Sequence, residues 1–227
     1  MTTSRAALLL LADGRFPAGG HAHSGGAEAA VADGRITDIA TLADFCRGRL
    51  HSTGLVAAAL AAAATAGVDP LALDDEADAR TPSATLRAVS RRLGRQLMRA
   101  ARAAWPAPEL DRLAAARPRG AHQPVVLGVT ARAAGLSPID AAHAAAYEAA
   151  GSPATAAVRL LALNPFDTTA VLARLAPEID QVAAAAARSA ARAAAAADLG
   201  ALPAVCAPLL DLGAQAHAVR PVRLFAS

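Results

Sequence analysis

The sequence predicts an all-α fold, a single-domain helical bundle of about ten helices, on three observations. Alanine supplies 69 of the 227 residues and leucine 28, against only 6 aromatics, so the core must be assembled from small and aliphatic side chains. Such a composition favours helices that approach closely. β-Branched residues are sparse and strict alternation never persists, whereas runs of Ala, Leu and Arg carry a helical period. Finally, a short polar acceptor precedes proline at Asp69-Pro70, Thr81-Pro82, Ser137-Pro138 and Ser152-Pro153, the pairing expected where a capped helix begins.

Taken in chain order, the apolar run Ala6 to Ala12 gives a first helix near 4–12. It imitates a signal peptide, but Asp13 and Arg15 interrupt it after seven residues with no cleavage pattern, which points to a cytoplasmic chain. Ser24 is placed to cap a second helix near 25–33. A long element over 38–66 follows, and its uncharged part from Leu50 is mostly Ala, too weakly apolar to favour spanning a bilayer. The polar-proline pairs start helices over 70–79, 82–104, 138–150 and 153–163. Helical periods cover 109–116, 123–135, 167–175, 178–198 and 203–218 as well. Residues 1–24, the first helix and a glycine-rich loop, and 219–227, a C-terminal tail, belong to the same domain. The stretch Val182 to Ala197 is low in complexity: a helix that forms easily but buries little area, so the protein is expected to rely on a partner for stability.

Composition also excludes chemistry. All 22 basic residues are Arg, which removes Walker A phosphate binding, Schiff-base formation and a lysine general base. The pI of 9.6 mostly reflects that replacement, because net charge is only +3, and it argues little for nucleic acid. Cys46 and Cys206 match no metal or redox spacing and read as buried thiols in a reducing compartment.

The most unusual segment runs from Asp13 to Glu28, with Gly19, Gly20, Gly25 and Gly26 within eight positions. A glycine-rich entry to a helix can cradle an anion, but no Lys follows and no strand precedes it, so a tight turn that lets two helices pack is the stronger reading. His21 and His23 form a His-x-His pair able to turn two imidazoles toward nickel, with Glu28 as a third ligand. The competing reading makes both surface polar groups. Arg87, Arg91, Arg95, Arg99 and Arg102 form a drifting stripe on one helix, read as a solvated face or as a grip on an acidic partner. No residue set has the geometry of a nucleophilic triad: Ser24 lacks a strand-to-helix elbow and Cys46 lacks a nearby base beyond His51.

Taken together, Leu8 to Ala12, Phe16-Pro17-x-Gly19-Gly20, His23-Ser24-x-Gly26-x-Glu28, Gly34 and Leu42 resemble the opening of the UreF family of urease accessory proteins. Three further blocks agree in order and spacing: Arg92 to Arg99, His122 to Gly128, and Ala156 to Leu160. The terminus Arg223-Leu224-Phe225-Ala226-Ser227, with His217 upstream, extends the likeness over nearly the whole chain. The resemblance implies a non-enzymatic, all-helical chaperone that forms a homodimer and bridges UreD (also called UreH) and the GTPase UreG on the urease apoprotein. It promotes nickel insertion and modulates GTP hydrolysis. Nickel would be in transit, no cofactor stably bound, and neither nucleic acid nor membrane a partner. Residue by residue, Pro17, Gly19, Gly20, Ser24 and Gly26 shape the opening motif, and Glu28 anchors or contacts a partner. Arg159 stands where relatives often carry Lys and faces UreG, while Arg223, Leu224 and Phe225 match the terminal docking segment. Each has a structural alternative: Glu28 as part of the fold, Arg159 as a helix-surface charge, Phe225 as a core plug. Two other classes compete, a helical DNA-binding transcriptional regulator suggested by the Arg stripe and a helical enzyme acting on a small molecule. The first would need a compact basic helix-turn-helix, the second a pocket of convergent His and carboxylates.

Overall fold

The computed structural model describes residues 5–226, so Met1–Ser4 and Ser227, which the sequence assigns to the first helix and the terminal motif, lie outside the described residues. Its centre is α4 (Leu55–Thr65), apolar on every side and buried along almost its whole length. Around it pack α8 (Gln123–Ala133), α9 (Pro138–Leu161) and α10 (Pro165–Ala196). Small side chains allow this: a Cβ on Gly128 would sit 2.2 Å from the Ala61 carbonyl, and Thr65 Oγ1 lies 2.9 Å from both the Ala61 and Gly128 oxygens. The short helices α1 (Arg5–Ala12) and α2 (Ala27–Ala32), with α3 (Ile39–Arg49), lie against α9. On the other side α6 (Ala84–Ala104) covers α8, flanked by α5 (Pro70–Ala79) and α7 (Pro108–Ala116). The last helix, α11 (Pro208–Ala218), rests on α2 and α6. No strand occurs among the described residues, so the fold class is all-α.

Two of the four polar-proline pairs start helices. Asp69 accepts from the Leu71 and Ala72 amides, and Ser137 forms a reciprocal capping box with Asp140. The other two do not. After Thr81-Pro82 the cap is Ser83, whose hydroxyl accepts from Leu86, while Thr81 Oγ1 turns back to the Ala77 carbonyl. Ser152-Pro153 starts nothing: 138–150 and 153–163 are one helix, α9, with Pro153 inside it. Proline removes one amide and leaves the carbonyl four residues earlier without its helical donor. Here that carbonyl is Ala149 O, and Arg49 Nε donates to it at 2.9 Å. The expected pair 167–175 and 178–198 is likewise one helix, α10, running through Pro177; its unmatched carbonyl belongs to Ala173, which is exposed to water. The element expected over 38–66 contains a π-helical turn at Leu50–Gly54 between α3 and α4.

Candidate interaction site at the joined chain ends

The glycine-rich loop folds by local geometry. Pro17 centres a tight turn in which the Ala18 amide donates to Phe16 O at 2.6 Å, and Phe16 stacks on Trp105 with ring centroids 5.8 Å apart. Gly19 has φ +81°, and a Cβ there would fall on the Gln96 side chain, so this position requires glycine. Gly20–Ala22 then makes one turn of 3-10 helix. Gly25 and Gly26 are both left-handed, at φ +62° and +90°, which lets the loop cross Pro153 and approach Leu210 before α2 begins. Gly26 is the residue flanking α2, and Ser24 acts from two positions earlier, its buried hydroxyl accepting the Glu28 amide at 3.2 Å.

That turn aims Glu28 inward, where it meets the other end of the chain. Its Oε1 accepts the Leu224 amide at 2.6 Å; its Oε2 accepts the Phe225 amide at 3.0 Å and lies 2.7 Å from His217 Nε2. The Ala226 amide donates to Ala22 O at 2.8 Å. Burial pushes the Glu28 carboxyl up, but the Leu224 amide, His217 and the Phe225 amide together outweigh it and hold the group below the ordinary carboxylate range. Phe225 is buried, and the Arg159 guanidinium carbon lies 5.0 Å from its ring centroid. Three residues from three separate sequence blocks, Glu28, Arg159 and Phe225, therefore form one cluster. Arg223 and Leu224 point outward.

The remaining expectations place differently. His21 is exposed and His23 buried, and burial, reinforced by Arg92 and His21, pushes the His23 imidazole below its usual range. Glu28 is committed to the tail and does not serve as the third ligand to this pair. Among the described residues no three His, Cys, Asp or Glu side chains converge as a metal site would need. The Arg stripe is largely paired within the chain rather than simply solvated: Arg91 binds Asp74 at 2.9 Å and Asp78 at 2.6 Å, Arg102 binds Asp111 at 2.7 Å, and Arg95 donates to Arg119 O.

Sequence reasoning missed two features. His217 completes the clasp, and only its place upstream of the tail signalled it. His122, fully buried, bridges Ser90 Oγ at 3.0 Å and Asp78 Oδ1 at 2.8 Å. The trio has the composition of a nucleophilic relay, but Ser90 lies mid-helix, its oxygen accepts the Gln123 amide at 3.2 Å, and Asp78 is shared with Arg91. It is a strut joining α5, α6 and α8, and burial keeps its imidazole below the usual range despite Asp78.

The family model described as UreF matches residues 36–176, well over half of the chain. The chain belongs to the UreF family. Its UreF relatives span both ends as well. It is 45% identical over 229 residues to the urease accessory protein UreF of Mycolicibacterium vanbaalenii, covering 99% of this chain and all of that one. Identity is 45% over 226 residues with the protein of that name from Mycobacterium sp. strain JLS, and 42% over 228 residues with that of Mycobacterium tuberculosis strain H37Ra, with the same coverage in both. Two UreF-like blocks meet directly: a Cβ on Gly94 of α6 would fall 3.2 Å from the Gln123 amide nitrogen, and 2.0 Å from the carbonyl of Ala121 just before that block. No helix among the described residues is long and apolar enough to cross a membrane.

Proposed function

We propose that this chain is a urease maturation factor, a non-enzymatic scaffold that joins UreD (UreH) and the GTPase UreG on the urease apoprotein so that nickel is inserted. The scaffold works as a homodimer in the cytoplasm and modulates GTP hydrolysis by UreG. Membership of the UreF family supports the maturation role. The observation that carries the scaffold reading is where apolar surface is left uncovered. Of the ten large exposed hydrophobic side chains among the described residues, six lie between Val205 and Leu224, with Leu209 and Leu212 each 62% and Val222 86% exposed. Isolated exposed apolar residues need no explanation, but a run of them beside a tail pinned by Glu28 makes a preformed apolar docking ridge. In this reading Glu28 and Phe225 hold the tail in place, while Leu224 and Arg223 touch the partner. Arg159, exposed beside Phe225, offers its charge to UreG. Nickel is cargo, contacting His21 and His23 in passing.

Co-expression of urease, UreD and UreG with the intact chain, with a chain lacking 223–227, and with no chain tests this. The expected outcome is nickel-loaded urease and a recoverable complex with the intact chain alone. Full nickel content without the chain would refute the maturation role, and undiminished assembly by the shortened chain would refute the docking ridge.

A further inference from the structure

Between α2, α4, α6, α9 and α11 lies a cavity of about 410 Å³, within the range of small-molecule sites. Exposed Pro82, Ala88, Arg92 and Cys206 border it, so it opens to solvent; Cys206, expected to be buried, is exposed there. Its apolar wall is built from Leu60, Val89, Leu93 and Leu210. Its polar end is built from Arg49, Thr53 and Glu148.

That polar end is incompletely matched. Thr53 Oγ1 is buried without a hydrogen-bond partner, an omission that costs about 1–3 kcal/mol if nothing fills it. Thr53 borders the cavity because it lies in the π-helical turn, a distortion that recurs at functional sites. Arg49 uses Nε to hold the Ala149 carbonyl, and the carboxyl of Glu148, bonded to Gln123 Nε2 at 2.7 Å, stops short of an ion pair with it. A part-buried guanidinium whose nearby opposite charge, Glu148, is not in contact favours an anion beside it. Over the whole lining, Arg49, Arg80, Arg92 and Arg223 stand against Glu148 and Asp211; with Arg80 paired to Glu76 behind the wall, a small positive excess remains.

We propose that this cavity binds a small monocarboxylate with a short apolar chain, its carboxylate on Arg49 and Thr53 and its chain among Leu60, Val89, Leu93 and Leu210. Glu148 does not oppose this. Burial pushes its carboxyl up, against Gln123 and Arg49, which weakens its repulsion of a neighbouring carboxylate.

The full chain titrated with hexanoate by calorimetry, and by methyl-region NMR, tests the site without any partner present. Expected is one saturable site, with hexanol and hexylamine each about tenfold weaker because they lack the anion, and acetate about two hundredfold weaker because it lacks four methylenes of the chain. Thr53→Val should weaken hexanoate about three- to tenfold through one lost hydrogen bond. Val89→Phe, which fills the cavity, should abolish binding, and Arg49→Gln should do so if circular dichroism shows it folded. Absence of saturation up to about 10 mM, equal affinity for hexanol, or unchanged affinity in the folded Thr53→Val and Val89→Phe proteins would each overturn the proposal. Because urease maturation is not the readout, failure here leaves the scaffold reading intact.

Discussion

Replacing Glu28 by alanine should release the tail without unfolding the bundle. Glu28 accepts the Leu224 and Phe225 amides at 2.6 and 3.0 Å and meets His217 at 2.7 Å. Hydrogen bonds to a charged group contribute about 1.5–3 kcal/mol each, and contributions within one cluster are not additive. A loss of about 3–6 kcal/mol in docking the tail is therefore expected. The tail can escape part of that penalty by moving into water, where its amides are solvated again, so the drop in global stability is bounded by the docking free energy. At about 1.4 kcal/mol per decade, even the lower figure reduces protection of the Leu224 and Phe225 amides about a hundredfold. Hydrogen exchange read peptide by peptide gives the result directly, with α4 and α8 amides as internal controls. Glu28→Gln, which keeps one accepting oxygen but loses the charge, should fall between. Unchanged exchange at 224 and 225 in Glu28→Ala would show that the carboxylate does not hold the tail.

Gly94→Ala should destabilise by about 1–3 kcal/mol or more through overpacking, because the new methyl meets the backbone Ala121 carbonyl at 2.0 Å, whereas helical Gly48→Ala, with nothing within 4 Å, should stabilise by about 0.5–1 kcal/mol. At about 2–4 °C per kcal/mol, thermal melts resolve both, and equal shifts would discredit the close helix crossing. His122 is held below its ordinary pKa of 6.5, so the unfolded chain takes up the proton first; stability is fully present above that value and is lost as pH falls through the lowered one. Urea titrations across this range should show the loss in the parent and a flatter profile in a folded His122→Gln variant, and identical slopes would refute the assignment. Leu209→Asp with Leu212→Asp, both surface changes, should leave the melt within about 0.5 kcal/mol of the parent yet weaken recovery of the assembly by about tenfold. A lowered melt with full recovery would place these leucines in the fold instead.

Most of the fold was legible because it rests on local rules. An Ala- and Leu-rich chain has to be helical, and Asp69 and Ser137 cap where a polar residue before proline should. The misreadings share one cause. Proline within a helix looks the same in sequence as proline starting one, and the difference lies in whether the orphaned carbonyl finds a partner. At Pro153 that partner is Arg49, 104 positions earlier, whose Nε takes Ala149 O. At Pro177 it is solvent. Neither can be read from the flanking residues, so the sequence alone divides one helix into two at both places.

The site was legible in its parts but not in its joining. The glycines, Glu28, Arg159 and the terminal Arg-Leu-Phe stood out as motifs, yet the Glu28 to Leu224 bond spans 196 positions and no periodicity links such distant points. What the structure adds is a division of labour. A carboxylate exposed at a surface would be a ready contact for an arginine, but Glu28 is buried with both oxygens occupied, so placing a partner's charge on it would first require breaking bonds to two amides and approaching His217. The exposed Arg223 and Leu224 carry no such penalty, since Leu224 presents its side chain to water while its own amide is the group held by Glu28. A substitution of Leu224 should therefore weaken partner binding and leave tail protection nearly intact, whereas loss of Glu28 should reduce both. The two variants in the same exchange and assembly assays separate holding the tail from presenting it; weakened assembly with undiminished tail protection on loss of Glu28 would mean that the carboxylate itself meets the partner.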